Sequence, residues 1–111
     1  MGDATQVQER ARDTFQKADR LTLLDFWADG CAPCRMLQPT FEKLAQDYGD
    51  RVDLAKINVD QLPDLTARFG IRLTPTLLLV CNGKVLERFV GVQRYEAIAG
   101  VLDRHTCRSP R

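Results

Sequence analysis

Val7, Ala11, Phe15 and Ala18 recur at helical spacing among polar neighbours; with Thr5 and Gln8 as a capping box, they predict an amphipathic helix over about 6–18. A nearly continuous apolar run follows, Leu21-Thr22-Leu23-Leu24-Asp25-Phe26-Trp27. That is the pattern of a strand covered on both faces, with one anomalous acid in its middle. Met36, Leu37, Phe41, Leu44, Ala45 and Tyr48 mark a second helix that stops at Gly49, and Pro39 inside it is expected to produce a kink. Val52 to Val59 alternates as a strand that turns Lys56 the same way as Val52 and Leu54. A short helix comes next, with Asp60 near its start, Pro63 in its first turn and Gly70 at its end. Thr76 to Cys81 and Lys84 to Val90 read as two strands joined by Asn82-Gly83, a strong hairpin signal. Tyr95, Ile98, Ala99 and Leu102 define a last helix, and 104–111 reads as a basic, frayed tail.

The order α, β, α, β, α, β, β, α predicts an α/β fold: parallel strands joined by helical crossovers, then an antiparallel hairpin, with helices on both faces of one sheet. At 111 residues, with no linker or internal repeat, the chain fits a single domain over 1–111. Its apolar share of 44% and charged share of 28% are those of a water-soluble globular protein. No apolar run approaches a membrane span. A formal net charge of +1 gives no broad electrostatic reason to bind nucleic acid or an anionic membrane. The polar start Met1-Gly2-Asp3-Ala4-Thr5-Gln6 lacks the basic and apolar stretches of a secretory signal, so a cytoplasmic location and a monomeric state are the expectation.

Four cysteines are too few and too unevenly spaced for a disulfide scaffold, which makes the close pair in Gly30-Cys31-Ala32-Pro33-Cys34-Arg35 a candidate for chemistry. Cys31 falls at the start of a helix, where unpaired N–H groups and the helix dipole favour thiolate over thiol. Cys34, three residues on, lies on the same face and can close a small ring with it. Such a pair can act as attacking and resolving thiols in disulfide exchange. The competing reading is half of a zinc site, for which only His105 and Cys107 offer themselves as further ligands. Pro33 lacks an N–H and so removes one donor to the Cys31 thiolate, biasing the pair toward a reductant. Asp25, desolvated in its strand, is expected to have a raised pKa and is a candidate proton acceptor for Cys34. Thr74-Pro75 permits a cis bond, although from these residues alone an ordinary trans proline is expected.

The runs Leu24-Asp25-Phe26-Trp27-Ala28 with Cys31-x-Pro33-Cys34, Ala55-Lys56-Ile57-Asn58-Val59-Asp60, Phe69-Gly70-Ile71-Arg72, Thr74-Pro75-Thr76-Leu77, Asn82-Gly83 and Val90-Gly91 together closely resemble the thioredoxin family. The resemblance implies a thioredoxin-like fold, with a central mixed sheet of four or five strands. It also implies a protein-disulfide reductase working without a cofactor or metal through a Cys31/Cys34 dithiol and a mixed disulfide, in cellular electron transport and redox homeostasis. Disulfide-containing proteins would be its substrates and a thioredoxin reductase its electron donor. Asp25 would pair with Lys56 and move protons for Cys34, Pro75 would be cis and abut the disulfide, and Trp27 would pack beneath the site. Thr74 and the Gly91-Val92 turn would receive an extended substrate segment.

Two neighbours depart from the family pattern: Gly30 stands where Trp is usual, and Ala32 where Gly is usual. Ala32 should stiffen the helix start, with ~1 kcal/mol better helix propensity. Thr74 replaces a usual apolar residue, so a flatter, more polar partner surface around Gly30 and Thr74 is expected. Cys81, beside the hairpin turn, is expected to be a free thiol, and Cys107 has no role in the resemblance. A disulfide oxidase or isomerase, and a redox-linked adaptor module whose dithiol is incidental, are the alternative functions.

Overall fold

The structure is a computed structural model that describes residues 20–107. The predicted N-terminal helix and residues 108–111 lie outside this span. Four strands and three helices follow in the order β1 (Leu21–Trp27), α1 (Ala32–Tyr48), β2 (Val52–Asn58), α2 (Pro63–Arg68), β3 (Thr76–Cys81), β4 (Lys84–Val90) and α3 (Tyr95–Arg104). They form one mixed sheet in the order β2-β1-β3-β4. The α/β class and the mixed sheet are as the sequence predicts.

Only β1 and β2 are parallel, joined by the α1 crossover, with Asp25 opposite Lys56. β3 runs antiparallel to β1, and β4 antiparallel to β3. The chain therefore enters β3 from the end of the sheet where β2 left it, and runs back. At the far end the chain reverses through Asn82 (φ 53°) and Gly83 (φ 80°), the pair of positive φ values a two-residue hairpin needs.

Alternation along β1 divides the core. Leu21 and Leu23 join Val52, Leu77 and Leu79 on the face covered by α1 and α3 through Leu37, Phe41, Leu44, Ile98 and Leu102. Leu24 and Phe26 join Ile57, Leu78 and Val80 on the other face, under Leu62, Leu65 and Phe69. Asp25 shares the parity of Leu21 and Leu23, so it points to the α1 side at the end of the strand that leads to Cys31. Tyr48 ties α1 to α3 by donating to Asp103 at 2.8 Å.

Some local expectations shift. Helix α1 continues through Pro39 to Tyr48, and Gly49 ends it with a right-handed φ of −61° rather than a left-handed turn. Met36 and Ala45, predicted on the apolar stripe, are exposed; the buried side chains of α1 are Cys34, Leu37, Phe41 and Leu44. Asp60 precedes α2, its N–H bonded to Asn58 Oδ1 at 2.9 Å. The expected fraying from residue 104 does not begin there. Arg104 closes α3, His105 Nε2 lies 3.0 Å from Glu87 Oε2, and Cys107 is bonded to Cys81.

Candidate active site

Cys31 is the N-cap of α1, in extended backbone (φ −86°, ψ 103°), with Pro33 in the first turn. As a cap it does what a Ser or Asp oxygen would: its Sγ accepts the Cys34 N–H at 3.2 Å. Pro33 has no N–H to give, so the Cys34 amide serves as the helix-end donor to this sulfur. The two cysteines form a disulfide with Cα atoms 5.3 Å apart. Cys31 is half-buried and Cys34 buried, while Ala32 and Pro33 are exposed. Attack from outside therefore meets Cys31 first. Gly30 enters the turn at φ +76° with open space where a Cβ would sit, so backbone conformation rather than crowding selects glycine.

A second segment faces Cys31. The Thr74-Pro75 peptide bond is cis, as the resemblance implied and against the expectation from the residues alone. Thr74 Oγ1 lies 3.5 Å from Cys31 Sγ as a donor, and the Thr74 carbonyl oxygen lies 3.6 Å from the same sulfur. Gly91, at φ +87°, donates its N–H to the Pro75 carbonyl at 2.9 Å, and Thr76 Oγ1 donates to the Leu73 carbonyl at 2.6 Å. The loop before β3 is thus fixed at both flanks, with Thr74 beside Cys31 Sγ.

Asp25 is 3% exposed and, among the described residues, its Oδ1 has no hydrogen-bond partner. Burial pushes its pKa from 3.8 up to about 6, and the positive charge of Lys56 opposes that rise. The expected Asp25–Lys56 pair is a register pair in the sheet and not a direct ion pair. The Lys56 ammonium instead lies 5.2 Å from the Trp27 ring centroid, where it is attracted to the ring face and stays wet. Trp27 is half-buried. Together with Gly30, Cys34, Arg35 and Lys56 it lines a cavity of about 340 Å³ on the Cys34 side.

Sequence reasoning missed three exposed apolar side chains: Met36 (68% exposed), Leu73 (64%), next to Thr74 in the chain, and Val90 (48%), next to Gly91; Val92 (44%), on the other side of Gly91, was already among the expected contacts. The signal for Met36 was available: it sits one residue off the 34-37-41-44 stripe. Leu73 carried no periodic signal, because it lies in an irregular loop. His105 and Cys107, the further ligands of the zinc reading, lie near Cys81 at the other end of β3. Among the described residues no group of three or more His, Cys, Asp or Glu could hold a metal ion.

Comparison with known proteins agrees with this geometry. The Thioredoxin family profile matches residues 4–104. The chain is 43% identical over 88 residues to a thioredoxin of Chlorobaculum thiosulfatiphilum, covering 79% of this chain and 82% of that one. It is 40% identical over 103 residues to thioredoxin 1 of Synechococcus elongatus, covering 93% and 92%. The crystal structure of Malassezia sympodialis thioredoxin (Mala s 13) matches the fold with a TM-score of 0.76 at 30% identity, over 85% of this chain and 83% of that one.

Proposed function

The chain belongs to the thioredoxin family and is a thiol–disulfide oxidoreductase that reduces protein disulfides, and from this premise we propose that Cys31 attacks and Cys34 resolves. The observation that carries the assignment is the 3.2 Å hydrogen bond from the Cys34 N–H to Cys31 Sγ at the start of α1. A donor there stabilises negative charge on Cys31, lowering its pKa and raising its thiolate fraction near neutrality. The Thr74 hydroxyl, at 3.5 Å, adds a second donor.

The Cys31 thiolate attacks one sulfur of the substrate disulfide, forming a mixed disulfide and expelling the other substrate sulfur as thiolate. Cys34 loses its proton, attacks Cys31 Sγ and releases the second substrate thiol. The protein ends as the Cys31–Cys34 disulfide and the substrate as two thiols. Asp25 takes the Cys34 proton, and its pKa of about 6 suits it to exchange protons near pH 7. Lys56 restrains the rise of that pKa by its charge, while the adjoining cavity admits the water that carries the proton away.

An extended segment of the substrate lies along the Thr74 backbone and the Gly91-Val92 turn, near Gly30, with its apolar side chains against Leu73, Met36 and Val92. Ala32 and Pro33 tune the pair and Pro75 keeps Thr74 facing it. The protein works as a monomer in the cytoplasm, recharged by an electron donor such as a thioredoxin reductase, because a dithiol reductant needs a compartment that keeps it reduced.

Insulin reduction, followed by precipitation of the freed B chain, tests the assignment. Wild type supplied with dithiothreitol should accelerate precipitation, and Cys31→Ser should fall to the dithiothreitol background. Full acceleration by Cys31→Ser would refute the assignment, and partner binding that persists without reduction in wild type would point to the adaptor.

A further inference from the structure

Cys81 was expected to be a free thiol, yet β3 delivers it to Cys107, and the two form a disulfide with Cα atoms 5.6 Å apart. We propose that Cys81–Cys107 is a second redox site, a reversible clip between the β3–β4 hairpin and the chain beyond α3, opened by the Cys31/Cys34 dithiol of a second copy. The inference rests on the reductase reading given above.

Three observations carry it. The bond joins residues 26 apart and ties α3 to the sheet, and both cysteines pack against the cluster that contains Leu79 and Leu102. Closing a loop of that length constrains the unfolded chain far more than closing the Cys31–Cys34 ring. Both residues are half-buried rather than sealed, so a thiolate can reach them. Finally, Asn82 Nδ2 lies 3.6 Å from Cys81 Sγ as a donor, and among the described residues no comparable donor stands on Cys107. Cys81 is therefore the better leaving thiolate, and Cys107 the sulfur that is attacked.

Access within one molecule is closed. β3 starts beside Cys31, through Thr74 and Pro75, and ends at Cys81, so its six residues separate the two disulfides by roughly 17 Å or more. Exchange is intermolecular. The Cys31 thiolate of one copy attacks Cys107 Sγ of another, forming a Cys31–Cys107 bond and expelling the Cys81 thiolate, which takes a proton from water. Cys34 then attacks Cys31 and frees Cys107 as a thiol. One dithiol is oxidised and one disulfide reduced. The contact between His105 Nε2 and Glu87 Oε2, at 3.0 Å, remains as a weaker tether once the clip opens.

Two forms of the full chain test this. The first carries Cys31→Ser and Cys34→Ser, leaving Cys81 and Cys107 as its only cysteines, and is air-oxidised. The second carries Cys81→Ser and Cys107→Ser and is reduced. Maleimide labelling read by mass should find no free thiol on the first form before mixing and two after incubation with an excess of the second. The second form with Cys34→Ser added should be captured as a dimer whose peptide map shows Cys31 bonded to Cys107. The oxidised first form should melt roughly 10 °C or more above its own dithiol form. Two free thiols before mixing, or equal melting temperatures, would overturn the clip. No labelling after mixing, while the second form still reduces insulin in the same buffer, would overturn its opening by the dithiol. Failure on insulin as well would overturn the reductase reading and the exchange together.

Discussion

The two ends of β3 hold the same bond in opposite settings. Beside Thr76 the Cys31–Cys34 pair sits on a helix N-cap, closes a ring of three-residue separation and meets hydrogen-bond donors from Cys34 and Thr74. Beyond Val80 the Cys81–Cys107 pair joins residues 26 apart against the apolar core. A donor-rich helix end makes a sulfur a good nucleophile but does little for chain entropy. A long loop against a core does the reverse. A sheet that carries one of each separates reactivity from stapling by the length of one strand.

The widest split should come from removing each pair in turn. Cys31→Ser with Cys34→Ser is expected to abolish insulin reduction while lowering the melting temperature by less than reduction of the Cys81–Cys107 bond does, because the entropic stabilisation from the shorter loop is roughly half as large. Calorimetry of the oxidised double variant checks this, and a melting temperature that falls as far as it does without the clip would erase the contrast.

Next in size is Asp25, the buried acid at the reactive end. Its folded pKa, about 6, exceeds the unfolded 3.8, so the folded state binds more protons between these values and stability falls as pH rises through that window. Asp25→Asn should therefore stabilise the fold by up to about 3 kcal/mol at pH 8 and change it little below pH 3.5. Guanidinium unfolding at both pH values measures this, and equal gains at both would show that the effect is not ionisation. The same variant should slow resolution by Cys34, seen as longer-lived mixed disulfide.

Pro33→His restores an N–H beside the Cys31 thiolate, stabilises the reduced pair and should raise its reduction potential against a glutathione series. One strong added donor corresponds to about 30 mV. An unchanged or lower potential would contradict that account. The smallest expected effect is at Thr74, whose hydroxyl lies 3.5 Å from Cys31 Sγ. Thr74→Val keeps the shape and removes the donor, so the Cys31 pKa should rise by roughly half a unit in thiolate absorbance titrations. A fall would show that the Thr74 hydroxyl does not stabilise the thiolate.

What the sequence made legible follows from how local each signal is. The strands and helices from Leu21 to Leu102 show in apolar spacing, the hairpin in Asn82-Gly83, and the reactive pair in Cys31-x-x-Cys34. The direction of β3 was not legible from element order, because the same order of elements is compatible with a parallel or an antiparallel return. The cis bond at Pro75 came only through resemblance, since local preference favours trans. Lys56 beside Asp25 came through the resemblance, and the strand register sets them opposite each other, whereas the placement of Lys56 over Trp27 reflects an ammonium seeking water. Cys81 was read as a free thiol and Cys107 was given no role, because their meeting depends on where α3 ends relative to the hairpin, a tertiary distance with no periodic trace in the chain.

That Cys31 alone attacks is tested most directly by exposing reduced Cys34→Ser protein to oxidised insulin, quenching with acid and mapping the trapped adduct by peptide mass spectrometry. The account predicts a single mixed disulfide at Cys31. An adduct at Cys81 or Cys107 in its place, or none at all, would contradict it.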